Sequence, residues 1–194
     1  MAMKKLGLLL MMLITVWLVQ GCSGNVENDS KADADSTAAL KDTLTKPGMP
    51  LEKQDAQFVF KAASGGITEV LLGKLAQQKG ENLRVKNFGM MMVKDHSKAD
   101  NKLMALAKSK NINLPTTPGA DDQKIIDELS KKSGENFDKA YVADMINDHK
   151  NDIKEFHYAS ENCSDPDLKA FAGKTLPVLK NHLDAINTIH DSMK

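Results

Sequence analysis

Two stretches of the 194-residue chain carry an Asp-His pair, Asp95-His96 and Asp148-His149. Aligned on the histidines, they share an aromatic eight residues upstream (Phe88, Tyr141) and a methionine four upstream (Met92, Met145). Seven residues downstream each has a large apolar side chain (Leu103, Phe156). Agreement of this kind over segments 53 residues apart predicts an internal duplication. A third histidine, His182, and a glutamate, Glu69, occupy equivalent places on their own apolar stripes. A buried carboxylate is costly unless it is paired or bound to a cation. Three imidazoles and a carboxylate at one level form a donor set for copper, zinc or iron. Met92 and Met145 lie one turn from His96 and His149 and could add thioethers, which would favour Cu(I). Asp95 and Asp148 point about a hundred degrees away from the histidines, placed to accept an imidazole N–H from a neighbouring helix. The alternative is a buried hydrogen-bond network without metal, in which Glu69 accepts from the histidines and fixes helix register. His157 and His190 fall off this level and are expected at the surface.

The elements needed to position these side chains are helices. Apolar residues recur at three- and four-residue steps from about Lys53 onward, and no stretch alternates with a strand period. The first helix is expected from Asp55, as its N-cap, to Lys79, with the stripe Phe58, Ala62, Gly65, Glu69, Leu72 and Ala76. Gly65-Gly66 predicts a close helix approach or a bend. The second helix is expected over Leu83–Lys110, followed by a loop rich in proline and glycine. A short helix capped by Asp121-Asp122 should run from Gln123 to Lys132 and stop at Gly134. The third long helix spans Glu135–Asn162. Ser164-Asp165-Pro166 opens a fourth, reaching about Met193, in which Pro177 predicts a kink. The fold class is all-α: four long helices in a bundle, with an extra short helix in the second-to-third connection.

The amino terminus predicts a location. Lys4 and Lys5 precede the apolar run Leu6–Val19, then Gln20-Gly21-Cys22. This reads as a lipoprotein signal peptide over residues 1–21, with Cys22 lipidated as the first mature residue. Ser23 after the cysteine points to the outer membrane rather than inner-membrane retention. Residues 22–52 are polar and small, and read as a flexible tether. Residues 53–194 are the domain. Cys163 then has no second cysteine for an intramolecular disulfide.

Composition limits the partners. Loss of Lys4 and Lys5 with the leader takes the basic residues from 26 to 24, against 26 acidic ones, and Arg84 is the only arginine. A basic patch with interleaved aromatics is missing from the sequence, so no nucleic acid is expected. The lipid anchor makes a membrane the expected partner.

The phrases Phe58-Val-Phe-Lys-Ala-Ala-Ser-Gly-Gly-Ile-Thr-Glu69, Met91-Met-Val-Lys-Asp-His96, Gly134-Glu-Asn-Phe-Asp-Lys-Ala-Tyr141, Met145-Ile-Asn-Asp-His149 and Thr175-Leu-Pro-Val-Leu-Lys-Asn-His182 resemble one bacterial family. It is a domain-of-unknown-function family of outer-membrane, ferritin-like proteins. The resemblance implies a ferritin-like four-helix bundle and no established activity. The family's glutamate, two Asp-His pairs and final histidine fall on Glu69, Asp95-His96, Asp148-His149 and His182.

A di-iron carboxylate centre is not expected. It would need a glutamate three residues before each histidine, where this chain has Val93 and Ile146. Haem is not expected either, since there is no Cys-x-x-Cys-His. No nucleophile–base pairing or phosphate loop accompanies the histidines, so an enzyme is the least supported class. The expected function is a lipid-anchored envelope protein that binds a transition metal for storage, sensing or stress protection. The alternative is a structural or interaction module of the envelope.

Overall fold

The computed structural model describes residues 51–194. The expected signal peptide, Cys22 and all but the last two tether residues lie outside them. The described chain forms five helices: α1 (Lys53–Lys79), α2 (Leu83–Ser109), α3 (Ala120–Ser130), α4 (Gly134–Asn162) and α5 (Pro166–Asp191). Among the described residues there is no strand.

The order of buried residues along each helix sets its direction. Two apolar clusters fill the interior. One contains Leu72, Phe88, Phe137, Tyr141 and Ile186; the other contains Phe58, Leu103, Phe156, Phe171 and Leu179. α1 and α5 run from the second cluster to the first, whereas α2 and α4 run from the first to the second. α1 pairs with α2 and α4 with α5 as antiparallel hairpins, and α1 also touches α4 while α2 touches α5. α2 and α4 are therefore parallel, and the connection between them must travel the length of the helices. It carries α3 on the way, packed on α1 and α4.

The two hairpins brace each other by a reciprocal device. Asp55, buried in the first turn of α1, accepts from the Ser164 and Asp165 backbone N–H groups at 3.1 and 2.7 Å. Asp138, buried near the start of α4, accepts from those of Glu81 and Asn82, at 3.2 and 2.7 Å. Donors and acceptors correspond at a spacing of 83 positions: Asp55 with Asp138, Glu81 with Ser164, Asn82 with Asp165. Core residues follow the same spacing, with Phe58 matching Tyr141, Val59 Val142, Ala76 Ala159, Phe88 Phe171 and Leu103 Ile186. The repeat in the structure is thus a helical hairpin. The 53-residue likeness compares the second helix of one hairpin with the first helix of the other. It reflects two parallel helices that each carry a histidine to the same level.

Several boundary expectations change. Glu52, not Asp55, precedes the first turn of α1. Asp55 is used instead to satisfy the free N–H groups ahead of α5. Gly119 precedes α3, and Asp121 and Asp122 lie inside its first turn, where carboxylates favour the positive helix end. Gly134 opens α4 with φ +60°, a conformation that favours glycine, rather than ending α3. Asp165 caps α5 as read, accepting from the backbone of Asp167 and Leu168. α5 runs unbroken through Pro177.

The close helix approach also sits elsewhere than expected. A Cβ on Gly73 would lie 2.7 Å from the Gly89 carbonyl oxygen, and one on Gly89 would lie 2.6 Å from that of Gly73. Backbone meets backbone there, between α1 and α2. Gly66 serves a different purpose: it leaves room for the Asp100 carboxylate, whose Oδ1 would be 2.0 Å from a Cβ.

Candidate metal centre

Between the two apolar clusters lies a polar layer supplied by the four long helices. Glu69 of α1, His96 of α2, His149 of α4 and His182 of α5 are all buried. Each lies on its helix's apolar stripe, so the period that buries Leu72 also buries Glu69, and the one that buries Phe88 and Leu103 also buries His96.

Each imidazole has one nitrogen anchored. His149 Nδ1 donates to the Met145 carbonyl at 2.9 Å, one turn back on the same helix. A carbonyl only accepts, so the proton of a neutral ring is on Nδ1 and Nε2 is bare. His182 Nε2 lies 3.1 Å from Asp95 Oδ2, and donation to that carboxylate leaves Nδ1 bare. These two bare nitrogens face each other at 3.4 Å. His96 Nδ1 meets Glu69 Oε2 at 2.6 Å, and its buried Nε2 has no partner. The three rings offer nitrogens within 4.8 Å of one another. Their centroids are 5.3–5.9 Å apart.

Burial sets the charge state. It lowers His96 to about 4, despite the opposing pull of Asp100, Asp148 and Asp95. Burial, with His96 and His182 alongside, lowers His149 to about 3, and burial also lowers His182. The rings are therefore neutral at pH 7, with lone pairs available. Burial pushes Glu69 well up, reinforced by Asp148 and Asp100. The short Glu69–His96 contact thus joins two groups that burial drives toward neutrality, rather than a full ion pair.

The four residues do not form one common donor set. Glu69 Oε1 has no hydrogen-bond partner and lies 3.5 Å from His149 Nε2. With Asp148 they resolve into two overlapping triads that share His149. One is His96, His149 and His182; the other is Glu69, Asp148 and His149. The two aspartates differ accordingly. Asp95 holds His182, whereas Asp148 stands among the carboxylates and is raised to about 7 by burial, Asp144 and Asp122. Met92 and Met145 are wholly buried in the apolar cluster with Phe88 and Tyr141. The Phe88 ring stands edge-on to His149 and His182 at 6.2 and 6.4 Å and closes the layer on that side.

Two further carboxylates belong to this layer without interrupting an apolar stripe in the sequence. Asp100 lies one turn beyond His96, and Asp152 three residues beyond His149, spacings that share a helix face. Both line a small cavity with Glu69 and His96. Burial raises Asp100 to about 6 and Asp152 well above its ordinary value. Asp152 matches Glu69 in the hairpin repeat. The histidines do not repeat: His149 corresponds to Gly66 and His182 to Ala99, so the first hairpin is small where the second projects a ring. His157 and His190 are exposed, as read. Cys163 is free and buried at the end of α4, and burial beside Asp55 pushes its thiol up to about 12.

The domain of unknown function DUF4142 matches residues 39–189 of the chain. The chain belongs to the DUF4142 family. No curated protein matches this DUF4142 chain. Two solved structures share its helical fold. One is a DUF305 protein from Streptomyces coelicolor, described as secreted, with TM-score 0.62 and 10% identity over 72% of this chain and 93% of that one. The other is a DUF305 fragment from Deinococcus radiodurans, with TM-score 0.63 and 11% identity over 72% and 97%. At these identities the likeness concerns the fold alone. Among the described residues of this DUF4142 protein, no helix is long and apolar enough to cross a membrane.

Proposed function

We propose that this DUF4142 protein is a lipid-anchored envelope protein whose ferritin-like four-helix bundle, with its extra short helix, binds one transition-metal ion. His96, His149 and His182 are the ligands. The observation that carries this reading is the pair of bare nitrogens, His149 Nε2 and His182 Nδ1, facing each other 3.4 Å apart. Two lone pairs that close repel unless a cation or proton lies between them. The separation is that of two donors on one tetrahedral ion with bonds of about 2.0–2.1 Å. Every histidine has its other nitrogen held by an acceptor, the arrangement that orients metal-ligating imidazoles. The unpartnered His96 Nε2 supplies the third donor. Glu69 then acts chiefly through His96, holding its Nδ1, with Oε1 left to a second position beside Asp148.

Three imidazoles suit copper, zinc or iron, in keeping with storage, sensing or stress protection. Support for the envelope comes from the leader and Cys22 in the sequence, and from a structural relative described as secreted. Metal analysis of the purified full chain tests the reading. One equivalent bound by the wild type, and lost in His96→Ala/His149→Ala, is expected. Substoichiometric metal unchanged by those substitutions contradicts it.

A second reading has its own observation. The Glu69–His96 and Asp95–His182 contacts satisfy much of the layer unaided. A structural module built on that network predicts a melting temperature indifferent to chelators.

A further inference from the structure

The polar layer is buried, yet it is not sealed. A small cavity of about 20 Å³ lies against Glu69 and His96 and includes Asp100 and Asp152 in its lining. That is room for a single water or bare ion. Two of its lining residues contribute buried polar atoms without partners, Glu69 Oε1 and His96 Nε2. Outside it is a much larger groove of about 540 Å³, formed by α1, α2 and the segment after α2. Its walls are mostly apolar, including Ile67, Leu103, Met104 and Leu114.

Asp100 and Leu103 line both spaces, and Asp100 is the only charged residue common to the two. Gly66 is what admits its carboxylate between α1 and α2, because any Cβ there would meet Oδ1. Beside it, Gly65 lines the inner cavity, and a Cβ there would find nothing within 4 Å. The consecutive glycines thus leave one space filled by a carboxylate and one space open. Carboxyl groups also become more numerous inward. The groove pairs Asp100 with Lys108, whereas the inner cavity gathers Glu69, Asp100 and Asp152 against a lone Lys61.

We infer that the groove is the entrance by which a metal cation reaches the imidazole layer, and that Asp100 is the positioning residue that passes it inward. The inference rests on reading the layer as a metal centre. A carboxylate at the throat offers a charged stop between water and the buried nitrogens, where apolar walls focus its field. The inner cavity then brings the ion within reach of Glu69 and His96.

Zinc uptake by the full chain, followed in stopped flow against a chromophoric chelator, tests it. Metal content is measured at the end point. Asp100→Asn keeps shape and removes charge, and Gly65→Ala narrows the cavity without a clash. Both are expected to load at least about tenfold more slowly and to reach the wild-type zinc content. Asp144→Asn removes an equal charge away from the route and is expected to load at the wild-type rate. Wild-type kinetics in Asp100→Asn overturn the route, as does equal slowing in Asp144→Asn. Should the wild type hold no more zinc than His149→Ala at the end point, the metal centre itself fails and the route with it.

Discussion

His149 shows most clearly how single atoms define the centre. Its Nδ1–H donates to the Met145 carbonyl, so its other nitrogen must face His182 bare. Glu69, His96, His149 and His182 were legible in the sequence because each interrupts an otherwise apolar stripe. Their division into two triads was not, because a stripe gives the level of a side chain and not which of its atoms is free. Asp100 and Asp152 escaped because they sit at stripe edges, where aspartate is ordinarily solvated. A nearby carboxylate outside the imidazole triad provides a pH test. Burial and Asp122 raise Asp144 from 3.8 to about 6. Its charged form is therefore disfavoured in the folded state. That cost is absent below about pH 3.8, grows as pH rises through the interval, and is complete above about 6. Asp144→Asn should melt higher than the wild type at pH 8 and no higher at pH 4. Thermal unfolding at the two pH values checks this, and a pH-independent difference would contradict the assignment.

At the scale of elements, helix boundaries were readable to within a few residues because period, capping and glycine signals agreed. The hairpin repeat was not, because its best-matched positions are core aromatics and turn acceptors while its histidines do not correspond. The use of Asp55 and Asp138 was equally hidden. An aspartate near a helix start looks like a local cap, and only the packing shows that each one binds the opposite hairpin's turn. The glycines of α1 separate two roles that look alike in sequence. Gly73→Ala gains up to about 1 kcal/mol of helix propensity, but its methyl meets the Gly89 backbone, which cannot swing aside. A net loss of about 1–3 kcal/mol is expected. Gly65→Ala meets nothing and should gain up to about 1 kcal/mol. Denaturant titration of both variants measures the contrast.

For the whole molecule, the parallel course of α2 and α4 forces the long connection that carries α3 and shapes the groove behind it. That much was foreshadowed by the proline- and glycine-rich stretch between them. The groove was not, since it depends on how the chain turns at Asn111, where φ is 54°. The proposed anchor belongs to this scale as well. Cys22→Ser should abolish incorporation of labelled palmitate and move the protein from the membrane fraction to the soluble one. Retention of label in the variant would remove the lipoprotein reading.

In the proposed centre three imidazoles, one from each of α2, α4 and α5, share a single ion. X-ray absorption at the metal edge of the full chain loaded with one equivalent of zinc tests this most directly. Outer-shell scattering from three imidazole rings is expected, with nitrogen ligands at about 2.0–2.1 Å, reduced by one ring in His182→Ala. A spectrum of oxygen ligands without imidazole scattering, or one unchanged by that substitution, would contradict it.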